Sequence, residues 1–117
     1  MEVLRMRVSV MVLGDPAHSS APRLALRALE MARLAGCVPD TAFLYHSGAY
    51  AALNLVDAAR WRALADAGLR CLVCRSAWEE RAPAGSVPAA PFVAASLVDW
   101  LQASERSGRV LRFGASG

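Results

Sequence analysis

The stretch Gly68-Leu-Arg-Cys-Leu-Val-Cys-Arg-Ser-Ala-Trp-Glu-Glu-Arg81 decides the fold. Leu69 to Val73 is a short, almost unbroken apolar run, as expected of a strand covered on both faces. It feeds directly into a helix from about Ala77, because Ser76 followed three residues later by Glu79 is a capping-box pattern. Cys74 falls at the join, at the carboxyl end of the strand. There it faces the free N–H groups and positive end of the helix, with Arg75 beside it, and these features favour the thiolate, the nucleophilic form of cysteine. A buried, inert thiol is the other reading of a cysteine at a strand end.

Upstream, Val8 to Leu13 and Thr41 to Tyr45 read as two further buried strands. Between them Ala21 to Ala35 is helical, capped by Ser19 or Ser20, with Pro22 in its first turn and Gly36 as its stop. Its periodicity predicts Leu24, Ala28 and Met31 or Ala32 inward, and Arg23, Arg27 and Glu30 outward. His46 to Asn54 reads as a loop with one helical turn, and Asp57 as the cap of a helix that carries Trp61, Leu64 and Ala65 and ends at Gly68. Downstream, Arg81 to Pro91 is a Pro/Ala/Gly-rich loop, Phe92-Val93 marks a short strand, and Ser96 caps a helix with Leu97, Trp100 and Leu101 inward. Gly108 ends that helix, and Arg109 to Phe113 is the last strand. Alternating strands and helices specify an α/β fold of three layers, α/β/α, flavodoxin-like, with a central, mainly parallel sheet of about five strands in a single domain, 1–117. Such sheets bind ligands outside the carboxyl ends of their strands. Here that edge carries Gly14 to Ser20, His46 to Asn54, Cys74 to Ser76 and the segment after Phe92.

The composition narrows the function classes. The chain has 117 residues, 56% hydrophobic and 20% charged, with a formal net charge of +3. That is enough apolar material for a core and too little charge for a disordered chain. All the basic residues are arginines, and they are scattered rather than gathered into a stripe, which argues against nucleic-acid binding. Arg5 and Arg7 ahead of an apolar run give Met1 to Leu13 a leader-like look, but no small-x-small cleavage pattern follows, and a first core strand is the reading taken. No segment is long enough to span a bilayer. Three cysteines do not suit a disulfide framework and point to a reducing cytoplasm.

The remaining candidates are weaker than Cys74. Cys71 completes a C-x-x-C with Cys74, but it lies inside the apolar strand and reads as a core residue. A zinc site would need two more ligands, with only His18 and His46 on offer from other loops, and no metal is expected. Gly14 to Ser20 lacks the spacing of a phosphate or dinucleotide loop, and no cofactor is expected. The pocket is assigned Cys74 as nucleophile, with Arg75 and Ser76 stabilising its anion and His18 and Tyr45 along its wall. Trp61, Trp78 and Trp100 are helix-borne core anchors, although a domain this small has limited core for all three, which suggests an oligomer.

Four stretches together resemble the DsrE-like sulfur-relay family, of the TusD/DsrE subunit type. They are Val10-Met-Val-Leu-Gly-Asp-Pro-Ala-His18, Ala42-Phe-Leu-Tyr-His-Ser-Gly-Ala-Tyr50, Leu72-Val-Cys-Arg-Ser-Ala77 and Gly108-Arg-Val-Leu-Arg-Phe113. Cys74 falls where that type carries its acceptor cysteine. The resemblance implies a small parallel α/β domain that accepts sulfur on Cys74 as a persulfide and passes it to a partner protein. It also implies donor and acceptor partners and homo- or hetero-oligomers. The reading from another class is a non-catalytic interaction subunit or small-ligand-binding module in which Cys74 is incidental.

Overall fold

The computed structural model describes residues 5–114. Strands β1 (Arg7–Val12), β2 (Val38–Leu44), β3 (Arg70–Cys74), β4 (Phe92–Ala95) and β5 (Arg109–Phe113) form one sheet in the order β4-β3-β2-β1-β5. Every pairing is parallel. Between the strands lie α1 (Ala21–Leu34), a 3₁₀ turn (His46–Ala49) running into α2 (Tyr50–Asn54), α3 (Ala58–Asp66), α4 (Arg75–Arg81) and α5 (Leu97–Arg106). This is the parallel α/β architecture that the alternation of elements predicts. Residues 1–4, the start of the leader-like stretch, and 115–117 lie outside the described residues, so the ends of the expected 1–117 domain are not covered.

The register sorts the sheet's two faces. Cys71 pairs with Ala42 on one side and Phe92 on the other, and this row faces α3, where Phe92 meets Trp61 edge-on at 5.3 Å. The next row, Phe43 with Leu72, faces the opposite way, and Phe43 meets Trp100 of α5 at 5.9 Å. The chain steps from β1 to β4 in one direction, so right-handed crossovers place α1, α3 and α4 on one face. The return from edge strand β4 to the far edge at β5 carries α5 across the other.

Three sequence expectations change. The inward side of α1 is Ala21, Pro22, Ala25, Leu26 and Leu29, while Leu24 and Met31 are 50% and 56% exposed. Both rows are apolar at helical spacing, so periodicity alone admits either rotation. On α5, Trp100 and Ala103 are inward while Leu97 and Leu101 are exposed, because the large indole takes the seat over Phe43 and pushes its neighbours to the flanks. All three tryptophans are buried within the single chain, so they give no reason for a second subunit.

Two tight spots fix the two ends of the sheet. Tyr45 N–H donates to the Val12 carbonyl (2.9 Å), and a Cβ on Gly48 would collide with that same carbonyl oxygen, so only glycine lets the 3₁₀ turn sit this close to β1. At the other end of the sheet Asp40, 4% exposed, accepts from Arg106 Nη2 (2.8 Å), Thr41 Oγ1 (2.7 Å) and Arg7 Nη1 (3.0 Å). Burial opposes its charge, yet the bonds from Arg106, Thr41 and Arg7 outweigh it and hold the carboxyl below its ordinary range. Asp40 thereby ties β1, β2 and α5 together.

Candidate functional site

The topology itself opens the site. β3 and β4 are neighbours, but the chain leaves β3 into α4 on one face and leaves β4 into α5 on the other. Where adjacent strands send their connections to opposite faces, a crevice opens at their carboxyl ends. A cavity of about 300 Å³ lies there, lined by Cys74, Arg75, Ser76 and Glu79 on the α4 side and by Ala95, Ser96 and Leu97 on the α5 side.

The helix start differs from the capping box read in the sequence. α4 begins at Arg75, Cys74 itself occupies the N-cap position, and no side chain caps the helix. β3 runs straight to Cys74, so the helix starts two residues earlier than the Ser76–Glu79 spacing suggests. The shift gives both residues another place. The Ser76 hydroxyl lies 3.3 Å from Cys74 Sγ, within hydrogen-bonding distance for sulfur, and Glu79 lines the cavity. The box forms on α5 instead, where Ser96 N–H and Oγ–H donate to Asp99 Oδ2 at 2.9 and 3.1 Å. It fixes the opposite wall.

Cys74 is 6% exposed and lines this opening. Arg75 reaches across the crevice, where Nη2 donates to the Ala94 carbonyl at 3.4 Å. Of the five site residues predicted, the structure gathers Cys74, Arg75 and Ser76. His18 is exposed in the loop after β1, and Tyr45 is half-buried between Phe43 (5.9 Å) and His46 (4.1 Å). Neither lines the cavity.

Cys71 is set apart from Cys74 in geometry and in chemistry. An odd separation along a strand points the two side chains to opposite faces, and three residues of strand place their Cα atoms about 10 Å apart, too far for a disulfide. All three cysteines are free thiols. Burial pushes the Cys71 thiol up to about 12, which removes it from thiolate chemistry near neutral pH. Among the described residues no three of His, Cys, Asp or Glu come together as metal ligands.

A second hollow, of about 340 Å³, adjoins the first along α4 and is lined by Trp78, Glu79 and Pro83 to Ser86. Its outer wall is pinned by Trp78, whose indole N–H donates to the Ser86 carbonyl at 3.0 Å. Glu79 lines both hollows. The sequence pattern assigns Glu79 to a cap and marks neither it nor Ser96 nor Leu97 as a site residue. The signal available was the ligand-binding edge, which already included the segment after Phe92.

The DsrE/DsrF-like family model matches residues 6–113, nearly the whole chain. Among solved structures, the ychN protein from E. coli superposes with a TM-score of 0.78 at 16% identity, covering 92% of this chain and 99% of its own. At that identity the likeness concerns the fold. No curated protein matches the chain. No helix among the described residues is long and apolar enough to cross a membrane.

Proposed function

The chain belongs to the DsrE/DsrF-like family, one generally linked to sulfur relay, and from that premise we propose that it is a sulfur carrier with Cys74 as the persulfide-bearing residue. The observation that carries the reading is the placement of the Cys74 sulfur in the β3/β4 crevice with the Ser76 hydroxyl 3.3 Å away. A hydroxyl at that distance can donate to an anionic sulfur, in the thiolate and again in the persulfide. Arg75 adds a positive charge at the mouth.

In the transfer, the Cys74 thiolate attacks the outer sulfur of a donor persulfide, R–S–SH. A new S–S bond forms at Cys74, the donor's S–S bond breaks, and R–S⁻ leaves with the electron pair. The outer sulfur keeps its proton, so Cys74 becomes Cys–S–SH, and an acceptor thiolate later reverses the exchange. No redox partner is required. Donor and acceptor proteins, in a cytoplasmic TusD-type relay, would dock on the apolar side chains exposed beside the crevice, Val93, Leu97, Val98 and Leu101. Sister subunits could use the same surface.

Intact mass tests the proposal: after incubation with a persulfide donor, the wild type gains one sulfur atom that dithiothreitol removes, and Cys74→Ser gains none. The slight exposure of Cys74 favours the second reading, a binding module with an incidental thiol. In that case wild type and Cys74→Ser behave alike.

A further inference from the structure

Most of the charges around the crevice are matched. Glu80 pairs with Arg81 (3.2 Å). Asp99 is held below its ordinary range, first by its hydrogen bonds from Ser96 and further by the charges of Arg70 and Arg75. Arg75 is therefore partly offset by Asp99, and its guanidinium is drawn towards the Ala94 carbonyl. Glu79 is different: among the described residues it forms no ion pair, even with Arg75 one turn away on the same helix. It is exposed, and it stands between the two hollows as a wall of each. A solute approaching Cys74 from the outer hollow meets the Glu79 charge alone, and one entering the first hollow passes it opposite an Arg75 already partly offset by Asp99.

We infer that Glu79 is a charge gate, a specificity-determining residue that disfavours anionic sulfur donors at Cys74 and favours donors that present their sulfur from an uncharged or basic segment. The inference rests on the carrier reading for its meaning, and on the cavity alone for its physics. Thiosulfate and polysulfides are dianions. With thiosulfate the Cys74 thiolate would bond to the outer sulfur while that sulfur's bond to the sulfonate sulfur breaks, and sulfite leaves with the electron pair. Each such approach brings two negative charges past Glu79 towards a sulfur that is itself negative when it reacts. A neutral donor group escapes this repulsion.

The test compares two alkylating reagents of nearly equal size, neutral iodoacetamide and anionic iodoacetate, by the ratio of their rates at Cys74, read by peptide mass in the full chain. One unscreened charge several Å from the reacting sulfur changes the approach of a monoanion by about threefold, and of a dianion by more. Glu79→Gln should raise the iodoacetate-to-iodoacetamide ratio about threefold at low salt, and Glu79→Lys should raise it further. High salt should bring wild type and variants together. In parallel, loading from thiosulfate should be faster in Glu79→Gln than in wild type. A ratio that is unchanged or lower in both variants overturns the gate. A ratio that rises while no donor of any charge adds sulfur upholds the gate and overturns the carrier reading instead.

Discussion

Ser76→Ala removes the only side-chain hydrogen-bond partner found for the Cys74 sulfur among the described residues. A hydrogen bond to a charged group contributes about 1.5–3 kcal/mol when shielded. Ser76 is exposed, so water replaces much of it, and about 1 kcal/mol is the fitting figure. That corresponds to about a fivefold slower reaction if the hydroxyl stabilises the sulfur anion along the path to attack. The substitution lies in the first turn of α4, where alanine is at least as good a helix former as serine, so a loss of helix does not explain the change. Iodoacetamide labelling at neutral pH, followed by peptide mass, measures it, with Cys37 in the same molecule as the reference thiol. Ser76→Thr, which keeps the hydroxyl, should recover most of the rate. Labelling of Ser76→Ala at the wild-type rate with an unchanged circular-dichroism spectrum would refute the role given to Ser76, as would a threonine variant no faster than alanine.

Other perturbations separate scaffold from site. Cys71→Ala should cost about 1–3 kcal/mol through lost packing and leave sulfur loading intact, and peptide mapping after mild oxidation should show no Cys71–Cys74 disulfide. In iodoacetamide labelling near neutral pH Cys71 should react last of the three thiols, since burial holds it near 12. Asp40→Asn should destabilise the fold by about 2–3 kcal/mol at neutral pH, a fall in Tm of roughly 10 °C. Folding lowers the Asp40 pKa, so its stabilisation is complete above the unfolded value near 4 and drains away as pH falls through the folded value; the gap between wild type and variant should close there. Gly48→Ala should cost about 1–3 kcal/mol, because its Cβ meets the Val12 carbonyl, and a thermal melt matching wild type would contradict that.

The elements were legible because their signals are local. β1 and β3 are mostly apolar runs, and β2 is one from Thr41 onward although the strand begins three residues earlier at Val38. Gly36 and Gly68 stop α1 and α3 with φ of +91° and +110°, a region open to glycine without steric cost. The helix faces were less legible because α1 and α5 carry more apolar residues than the sheet covers. Leu24 and Met31 satisfy the helical period as well as Ala25 and Leu29 do. Only the position of the sheet chooses between the rows. Asp40 was invisible for a different reason: its partners Arg7 and Arg106 lie 33 and 66 residues away in sequence, and no local pattern marks a carboxylate that will be buried at such a junction.

At the crevice, a local spacing has a different outcome from the one it suggests in sequence. Ser76 and Glu79 stand three residues apart, which is the spacing of a cap. That spacing also places two side chains on one face of a helix, wherever the helix begins. Starting α4 at Arg75 keeps them together and turns that face to the crevice instead of the helix end. The location of the crevice owes nothing to these residues; it follows from α4 and α5 leaving adjacent strands for opposite faces. Topology therefore supplies the opening, and one helical turn supplies its chemistry: a sulfur at Cys74, a hydroxyl at Ser76 and an unpaired carboxylate at Glu79. If that division holds, substitutions at Ser76 and Glu79 will change the rate and charge preference of Cys74 while leaving the fold untouched. Substitutions at Asp40 or Gly48 will lower stability and leave the charge preference of the folded fraction as it was.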